Sequence, residues 1–313
     1  MPDVRLTAVS RTQGNNRALK DGEVTPANYC LDFEDVPVIV QAFRRMVRGL
    51  EWDVCEMAFT TYLCAKAYGV PFTAIPVFLV RGLHHGAVVV NPDAGIRHPK
   101  DLEGRRVGVN RGYTVTTGVW ARGILADEYG VDLDAVTWVP TGDEHVAAYR
   151  PPPNVTASSG GDLAELVASG ELDAGVGIVA DHSGVVPLIP DAEDAGFAAL
   201  QARGRFPINH LVVIKDDLLA AHPDVAADVF AAFAESKRRY VSRLRAGITS
   251  PDPTDAMYQR VMDITADDPL PYGIEPNRAV IEELIGHAVG QHILDSRPAV
   301  DDLFASGTRD LTG

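Results

Sequence analysis

One segment near the middle of the chain, residues 88–125, constrains the fold more than any other. It contains a short apolar run at Val88–Val90, a second at Arg106–Val109, a polar loop at Asn110–Thr114 and a helical pattern that begins near Val115. A strand followed by a polar loop and a helix N-terminus is how α/β proteins present unpaired backbone N–H groups to an anion. The segment therefore predicts an α/β fold with an anion site at this junction.

The predicted anion site has five candidate side chains. Arg111 and Tyr113 lie in the loop, Thr114 lies at its end, and Thr116 and Thr117 lie in the first turn of the helix. Arginine binds carboxylates bidentately, and free N–H groups supply further donors. Ordinary N-capping by threonine, which any strand–helix junction can show, is the alternative interpretation.

Strand-like and helix-like segments alternate along the rest of the chain, which indicates parallel or mixed sheets covered by helices. Further strands are predicted at Val4–Val9, Tyr29–Glu34, Trp52–Met57, Thr73–Phe78, Thr137–Pro140, Leu172–Val179 and His210–Ile214, and helices at Pro37–Arg48, Phe59–Tyr68, Asp162–Ser169, Pro223–Ala246 and Pro276–His292.

Length and charge narrow the classes of protein to which the chain can belong. A chain of 313 residues exceeds one typical hydrophobic core, so two domains are expected. The 43 acidic and 28 basic residues give a formal net charge of −15. Nucleic acids and anionic membranes need a basic protein face, so neither is expected as a partner. A small anionic ligand needs only a local cluster of Arg, His and N–H groups.

The sequence also indicates the compartment. The first residues, MPDVRLTAVSRTQGNN, lack the basic stretch and long apolar run of a signal peptide, and no window approaches a membrane span. Cys30, Cys55 and Cys64 are odd in number and have no CxxC spacing, which is typical of reduced thiols. We therefore expect a cytoplasmic protein.

Several segments, in the same order along the chain, resemble the 4,5-dihydroxyphthalate decarboxylase family. They are WDVCEMAFTTYL (Trp52–Leu63), AIPVF (Ala74–Phe78), HHGAVVVNPDAGIRHPKDLEGRRVGV (His84–Val109), TTGVWARGILADEYGV (Thr116–Val131), FPINHLVVIKDD (Phe206–Asp217) and DDPLPYGIEPNRAVIEELIGHAVGQHI (Asp267–Ile293). The sequence departs from the family pattern at His84–Ala87 and in the loop Asn110–Thr114. Both departures lie where the substrate is expected, so the substrate can differ from that of the family's namesake.

The resemblance implies a type II periplasmic-binding-protein fold. In that fold each of two α/β lobes has a mixed sheet flanked by helices, and the ligand cleft lies between the lobes. Residues 1–90 would form the first part of lobe 1, residues 91–207 lobe 2, and residues 208–313 the return to lobe 1.

Two functions are consistent with that fold, because one scaffold can host unrelated functions. The first is a cytoplasmic decarboxylase of a hydroxylated phthalate- or benzoate-type acid, which protonates the ring carbon as CO₂ leaves. The second is a solute-binding protein that delivers a small anionic or aromatic ligand to an ABC transporter. The absence of an export signal and the number of titratable side chains at strand ends favour the enzyme. A homo-oligomer is kept open.

The resemblance also places candidate side chains. Ligands of such folds lie at the carboxyl ends of strands, where Glu56 is expected, and the three histidines flank the two expected crossovers between the lobes. His84, His85, His210 and Glu56 are the catalytic candidates, since imidazole suits proton transfer near neutral pH and a buried carboxyl group can act as an acid. Structural hydrogen bonding by the histidines and helix capping by Glu56 are the alternatives. The predicted substrate-binding residues are Arg11, Thr60, Thr61, Arg111, Tyr113, Thr114, Thr116, Thr117 and Gly177.

The sequence carries no metal or cofactor motif. His84, His85, His210 and Glu56 are metal ligands by type, but no HxH or HExxH spacing marks them. Nucleotide and pyridoxal cofactors are not expected, because there is no GxGxxG, no GxxxxGK[ST] and no lysine in a Schiff-base context. The expectation is a reaction without a cofactor, with a divalent metal ion left open.

Overall fold

The computed structural model describes residues 4–157, 160–248 and 252–313. Within these ranges the strands are β1 Val4–Val9, β2 Tyr29–Glu34, β3 Val54–Ala58, β4 Phe72–Arg81, β5 Val88–Val90, β6 Arg106–Val109, β7 Thr137–Pro140, β8 Ala174–Val176, β9 Val186–Pro187 and β10 Ile208–Lys215. The α-helices are α1 Arg17–Lys20, α2 Ile39–Gly49, α3 Phe59–Ala67, α4 Thr116–Tyr129, α5 Leu163–Ala168, α6 Ala192–Arg203, α7 Asp216–Ala221, α8 Val225–Arg245, α9 Pro253–Thr265 and α10 Arg278–Gly290.

The chain divides into two compact units. Unit 1 contains Met1–Arg81, Ile208–Glu282 and Pro298–Gly313, and unit 2 contains Gly82–Pro207 and Glu283–Arg297. The boundaries differ from those predicted, because residues 82–90 and 283–297 group with unit 2. Strand β5 pairs with β8 and β9 in the sheet of unit 2, which explains the first difference. The second follows from Gln291, whose side chain hydrogen-bonds Arg122 of α4.

Unit 1 is built on a five-stranded mixed sheet in the order β2-β1-β3-β10-β4. Strands β1, β2 and β3 run parallel, whereas β10 runs antiparallel to both of its neighbours, β3 and β4. All five residues of β3 are buried, as expected for a strand covered on both faces. The central position of β3 and β10 matters below, because both carry candidate catalytic side chains.

Helices α2 and α3 cover this sheet in different ways. Helix α2 is amphipathic, and its buried residues follow the helical repeat: Ile39, Ala42, Phe43, Met46 and Val47. It ends at Leu50, which adopts the left-handed conformation with φ of 51°. Helix α3 is buried all round from Phe59 to Ala65, so even its threonines are withdrawn from solvent.

Unit 2 has its own five-stranded mixed sheet, in the order β7-β6-β8-β5-β9. Strand β6 runs parallel to β7 and β8, while β5 runs antiparallel to β8 and β9. One core cluster of this unit consists of Val89, Val139, Leu163, Val167, Leu172 and Val185. The α/β class and the two mixed sheets agree with the prediction.

Some elements differ from the sequence-based prediction. The strand predicted at Leu172–Val179 is reduced to Ala174–Val176, because Gly177 turns the chain with φ of +84°. Helices α6 and α9 were not predicted, since their buried residues are few and widely spaced. Within the described ranges, no helix combines the length and apolar character that crossing a membrane requires.

Candidate functional site

A carboxylate–imidazole pair lies at the centre of the sheet of unit 1. Oε1 of Glu56 lies 2.6 Å from Nδ1 of His210. The Glu56 side chain is fully buried, whereas that of His210 remains 17% exposed. The ring of Phe43 packs edge-on against the imidazole at 5.0 Å between centroids. The pair therefore joins a fully buried carboxylate to an imidazole that is partly open to solvent.

The register of two antiparallel strands brings this pair together. Glu56 of β3 pairs with Val212 of β10, and His210 pairs with Ala58, so the two side chains are diagonal neighbours on one face. The pairing of β10 with β4 is irregular on both sides of His210. Such bulges are common beside active sites, where they redirect a side chain.

The loop after β1 supplies the second partner of Glu56. The backbone N–H of Arg11 donates to Oε2 of Glu56 at 2.8 Å. Asn16 fixes this loop, because its amide donates to the carbonyl of Arg11 at 2.9 Å and accepts from the N–H of Gln13 at 2.7 Å. The guanidinium of Arg11 is exposed, so its role in substrate binding stays a prediction.

Several buried hydroxyl groups of unit 1 are candidates for substrate contacts. Thr60 and Thr61 lie in the first turn of α3, directly after β3, and are fully buried. The hydroxyls of Thr61 and Tyr272 are buried without a hydrogen-bond partner among the described residues. A buried unpaired polar group costs about 1–3 kcal/mol, so such groups need a reason.

Sequence reasoning missed Tyr272, although it lies in the segment Asp267–Ile293 that carries the family resemblance. Gly313 holds its backbone in place, because the N–H of Tyr272 donates to the carbonyl of Gly313 at 2.8 Å. Burial raises the pKa of Tyr272 well above its ordinary value, and the charge of Glu56 adds to that effect. The phenol is therefore protonated at neutral pH.

The loop before α4 in unit 2 binds an anion, and that anion is the chain's own Glu144. The Glu144 carboxylate accepts from the N–H of Tyr113 at 2.5 Å, from the N–H of Thr114 at 3.2 Å and from the Thr114 hydroxyl at 2.6 Å. A Cβ at Gly112 would lie 2.6 Å from Glu144, so glycine permits the close approach. A substrate carboxylate could use these donors only by displacing Glu144.

The other predicted residues of unit 2 surround the same junction. The N–H of Arg111 donates to the Thr141 hydroxyl at 2.9 Å, and its side chain is exposed. Thr116 is buried and Thr117 half-buried in the first turn of α4. Gly177 accepts from the amide of Asn110 at 3.0 Å, and a Cβ there would lie 3.8 Å from the N atom of Gly118. The ends of β6 and β8 thus meet at the N-terminus of α4.

A buried arginine, Arg122, supports this junction from inside α4. Its guanidinium lies 4.0 Å from the ring centroid of Tyr113, donates to the Tyr113 carbonyl at 2.6 Å and donates to Gln291 at 2.8 Å. Burial lowers the pKa of Arg122 and raises that of the Tyr113 phenol. Sequence reasoning missed Glu144, although it follows a predicted strand within a polar loop.

His84 and His85 are buried in unit 2 at a different place from this junction. Nε2 of His85 lies 2.9 Å from Oε2 of Glu128, twelve residues after Thr116, or about 18 Å along α4 at 1.5 Å per residue. The structure therefore separates His85 from the predicted carboxylate site. Glu56 and His210 belong to unit 1. Catalysis or metal binding by the four residues together stays a prediction.

Comparison with known proteins relates the whole chain to a family. The NMT1/THI5-like family model matches residues 51–150. A 4,5-dihydroxyphthalate decarboxylase from Comamonas testosteroni is 30% identical over 325 residues, covering 96% of both proteins. Another, from Pseudomonas putida, is 33% identical over 175 residues, covering 51% of this chain and 65% of that protein. The periplasmic aliphatic sulphonate binding protein SsuA from Escherichia coli aligns at a TM-score of 0.55 and 12% identity, covering 98% of this chain and 99% of that chain, which shows the fold alone.

Proposed function

The chain belongs to the 4,5-dihydroxyphthalate decarboxylase family and is a carboxy-lyase, and we propose that it removes CO₂ from a hydroxylated phthalate- or benzoate-type acid. The resemblance found in the sequence is thereby confirmed. An identity of 30% does not specify which positions of the substrate's aromatic ring carry hydroxyl and carboxyl groups, so we propose only the substrate class.

The observation that carries the proposal is the Glu56–His210 pair. Nδ1 of His210 faces the buried carboxylate at 2.6 Å, which leaves Nε2 as the atom that can exchange a proton with a ligand. The Arg11 N–H holds the other carboxylate oxygen at 2.8 Å and fixes its orientation. An imidazole base that is oriented by a buried carboxylate is an arrangement suited to general acid–base catalysis.

The reaction replaces the carboxylate of the ring by a proton. His210 takes the proton of a ring hydroxyl, and the resulting phenolate increases the electron density at the carbon that bears the carboxylate. Protonated His210 then donates its proton to that carbon. The bond to the carboxyl carbon breaks, its electron pair returns to the ring, and CO₂ leaves. Glu56 stabilises the imidazolium between the two transfers.

Substrate contacts are proposed for each unit separately. In unit 1 the candidates are the hydroxyls of Thr61 and Tyr272, which have no hydrogen-bond partner among the residues that the structure describes, because a ligand would supply one. In unit 2 the candidates are Arg111 and the first turn of α4, with Thr116 and Thr117. Arg111 has φ of +66°, a conformation that costs a non-glycine residue about 1–3 kcal/mol and is more frequent at functional sites.

The test is CO₂ release by the purified, dialysed protein from a panel of hydroxylated benzoates and phthalates. His210→Asn should lower kcat by roughly 10²–10⁴-fold, as for loss of a general acid–base group. Glu56→Gln should also lower kcat, since a neutral amide cannot stabilise an imidazolium as a carboxylate does. His222→Asn is the matched control. His222 is also in unit 1, where its ring packs edge-on against the ring of Tyr29, at 5.8 Å between centroids.

Three outcomes would change the assignment. A folded His210→Asn variant with wild-type kcat would remove His210 from the chemistry. Saturable binding of an aromatic carboxylate without CO₂ release from any member of the panel would favour the solute-binding alternative. Loss of activity on chelation, restored by a divalent ion, would replace the cofactor-free reaction by a metal-dependent one.

Cellular location and assembly complete the proposal. We place the enzyme in the cytoplasm, because Cys30, Cys55 and Cys64 are free thiols, which suits a reducing compartment. The expected partner is the small aromatic carboxylate alone, without nucleic acid or membrane. Homo-oligomer formation stays a prediction that sedimentation velocity would test.

A further inference from the structure

A second cluster of chemically capable side chains lies in unit 2, away from the N-terminus of α4. Asp127 lies near the C-terminal end of α4, and Glu283 and His287 are one turn apart on α10. One ligand atom from each of the three lies within 4.8 Å of the other two. Residues four apart share a helix face, so α10 presents its carboxylate and imidazole together.

The imidazole of this cluster is positioned by a glycine. A Cβ at Gly123 of α4 would lie 2.5–2.6 Å from three ring atoms of His287, so only glycine leaves room for the ring. Trp120 packs against the same ring edge-on, at 5.3 Å between centroids. Glycine is less favourable than alanine inside a helix. At Gly123 it leaves room for the imidazole between the two helices.

An independent observation points to a ligand in the same place. The three side chains line a cavity of about 40 Å³ together with His85. His85 is only 4% exposed, and its Nδ1 is buried without a hydrogen-bond partner among the described residues. Its Nε2 is already held by Glu128. The cavity has room for an ion with a few waters, since one water needs roughly 10–15 Å³.

We propose that Asp127, Glu283 and His287 bind a divalent transition-metal ion, with Nδ1 of His85 hydrogen-bonded to a water on that ion. One imidazole and two carboxylates are a ligand set that suits Zn²⁺ and Mn²⁺. Arg205 lies 3.2 Å from Glu283 and balances its charge. The Arg205 side chain is 44% exposed, so it can turn into solvent when a metal ion takes its place beside Glu283.

The experiment measures Zn²⁺ binding to the full chain after treatment with a chelator. Isothermal titration should give one ion per chain. Asp127→Asn, Glu283→Gln and His287→Asn should each weaken binding by more than the roughly 10- to 100-fold typical of losing an outer partner, and His85→Gln by about that amount. Co²⁺ provides a second readout, because its visible absorption reports the coordination geometry and does not depend on enzymatic activity.

His292→Asn is the matched control. His292 is also in unit 2 and lies 3.4 Å from a carboxylate, Asp134, but both side chains are more than half exposed. Its replacement should leave Zn²⁺ affinity unchanged. Absence of Zn²⁺ binding by the folded wild type would overturn the site, as would equal affinities in the wild type and the three ligand variants. Because Asp127 is exposed, its variant keeps the test valid even if His287→Asn fails to fold.

Discussion

In unit 1 a half-buried carboxylate, that of Asp53, links residues of two strands, Thr7 of β1 and Lys215 of β10. Its Oδ2 accepts from the N–H and the hydroxyl of Thr7, both at 2.9 Å, and its Oδ1 lies 2.8 Å from Nζ of Lys215. Burial alone would raise the pKa of Asp53. Lys215 and the two Thr7 donors outweigh it and hold the pKa below its ordinary value.

This lowered pKa predicts how the stability of the protein depends on pH. A carboxyl group whose folded pKa lies below its unfolded value of about 3.9 stabilises the fold above that pH, and the contribution is lost as pH falls through the folded pKa. Asp53→Asn should therefore lower the free energy of unfolding near neutral pH. The difference from wild type should narrow below about pH 4.

Urea denaturation at several pH values would measure this difference. Asp35→Asn is the control, because the Asp35 side chain is 95% exposed and its replacement should have little effect. A difference between Asp53→Asn and the wild type that is independent of pH would contradict the assignment.

At the scale of elements, the loop between β6 and α4 depends on a carboxylate from elsewhere in unit 2. Val115, the residue before α4, makes no side-chain cap, so the chain satisfies the preceding N–H groups through Glu144. Arg122 holds the same loop from inside the helix through the carbonyl of Tyr113. The N–H groups of Tyr113 and Thr114 and the carbonyl of Tyr113 are therefore hydrogen-bonded within the protein before any ligand arrives.

Glu144→Ala should lower the free energy of unfolding by about 1–3 kcal/mol, because buried donors of Tyr113 and Thr114 lose a charged acceptor. Glu144→Gln should cost less, since its amide oxygen still accepts. Thermal melts compare both variants with Glu171→Ala, which removes an exposed carboxylate of the same unit. Equal melting temperatures for Glu144→Ala and the control would show that the contacts contribute nothing to stability.

At the scale of the whole molecule, excess negative charge determines which partners can approach. The net charge is −15, and even an arginine-rich groove of unit 1 is balanced by acidic residues. In that groove Arg239 lies 2.9 Å from Glu235 and 3.7 Å from Glu23, and Arg238 lies 2.8 Å from Glu235. Paired arginines release few counterions from a phosphate backbone, so they add little affinity.

We expect no binding to duplex DNA at low salt, where electrostatic attraction is strongest. Fluorescence anisotropy of a labelled duplex would measure it. The double variant Glu23→Lys/Glu235→Lys is the control, because it removes the acidic partners of Arg238 and Arg239 and should raise the affinity. Saturable binding by the wild type that weakens with salt would contradict the prediction.

The sequence by itself determined many of the local elements and the family. Strands such as Val4–Val9 and Arg106–Val109 match their predicted bounds, because an apolar strand between polar turns is a local pattern. The family resemblance also rests on local patterns, the contiguous motifs, and the comparison with a relative that is 30% identical confirmed it. The resemblance also selected Glu56, at the carboxyl end of a predicted strand, and His210, beside an expected crossover between the lobes.

Only the tertiary structure decided which side chains meet. Glu56 and His210 are 154 residues apart, and the antiparallel register of β3 and β10 places them in contact. Glu144 occupies the donors that seemed reserved for a substrate, and His85 is bonded to Glu128 at the far end of α4. Long-range pairing depends on strand register and helix packing, which a local pattern of residue types does not encode.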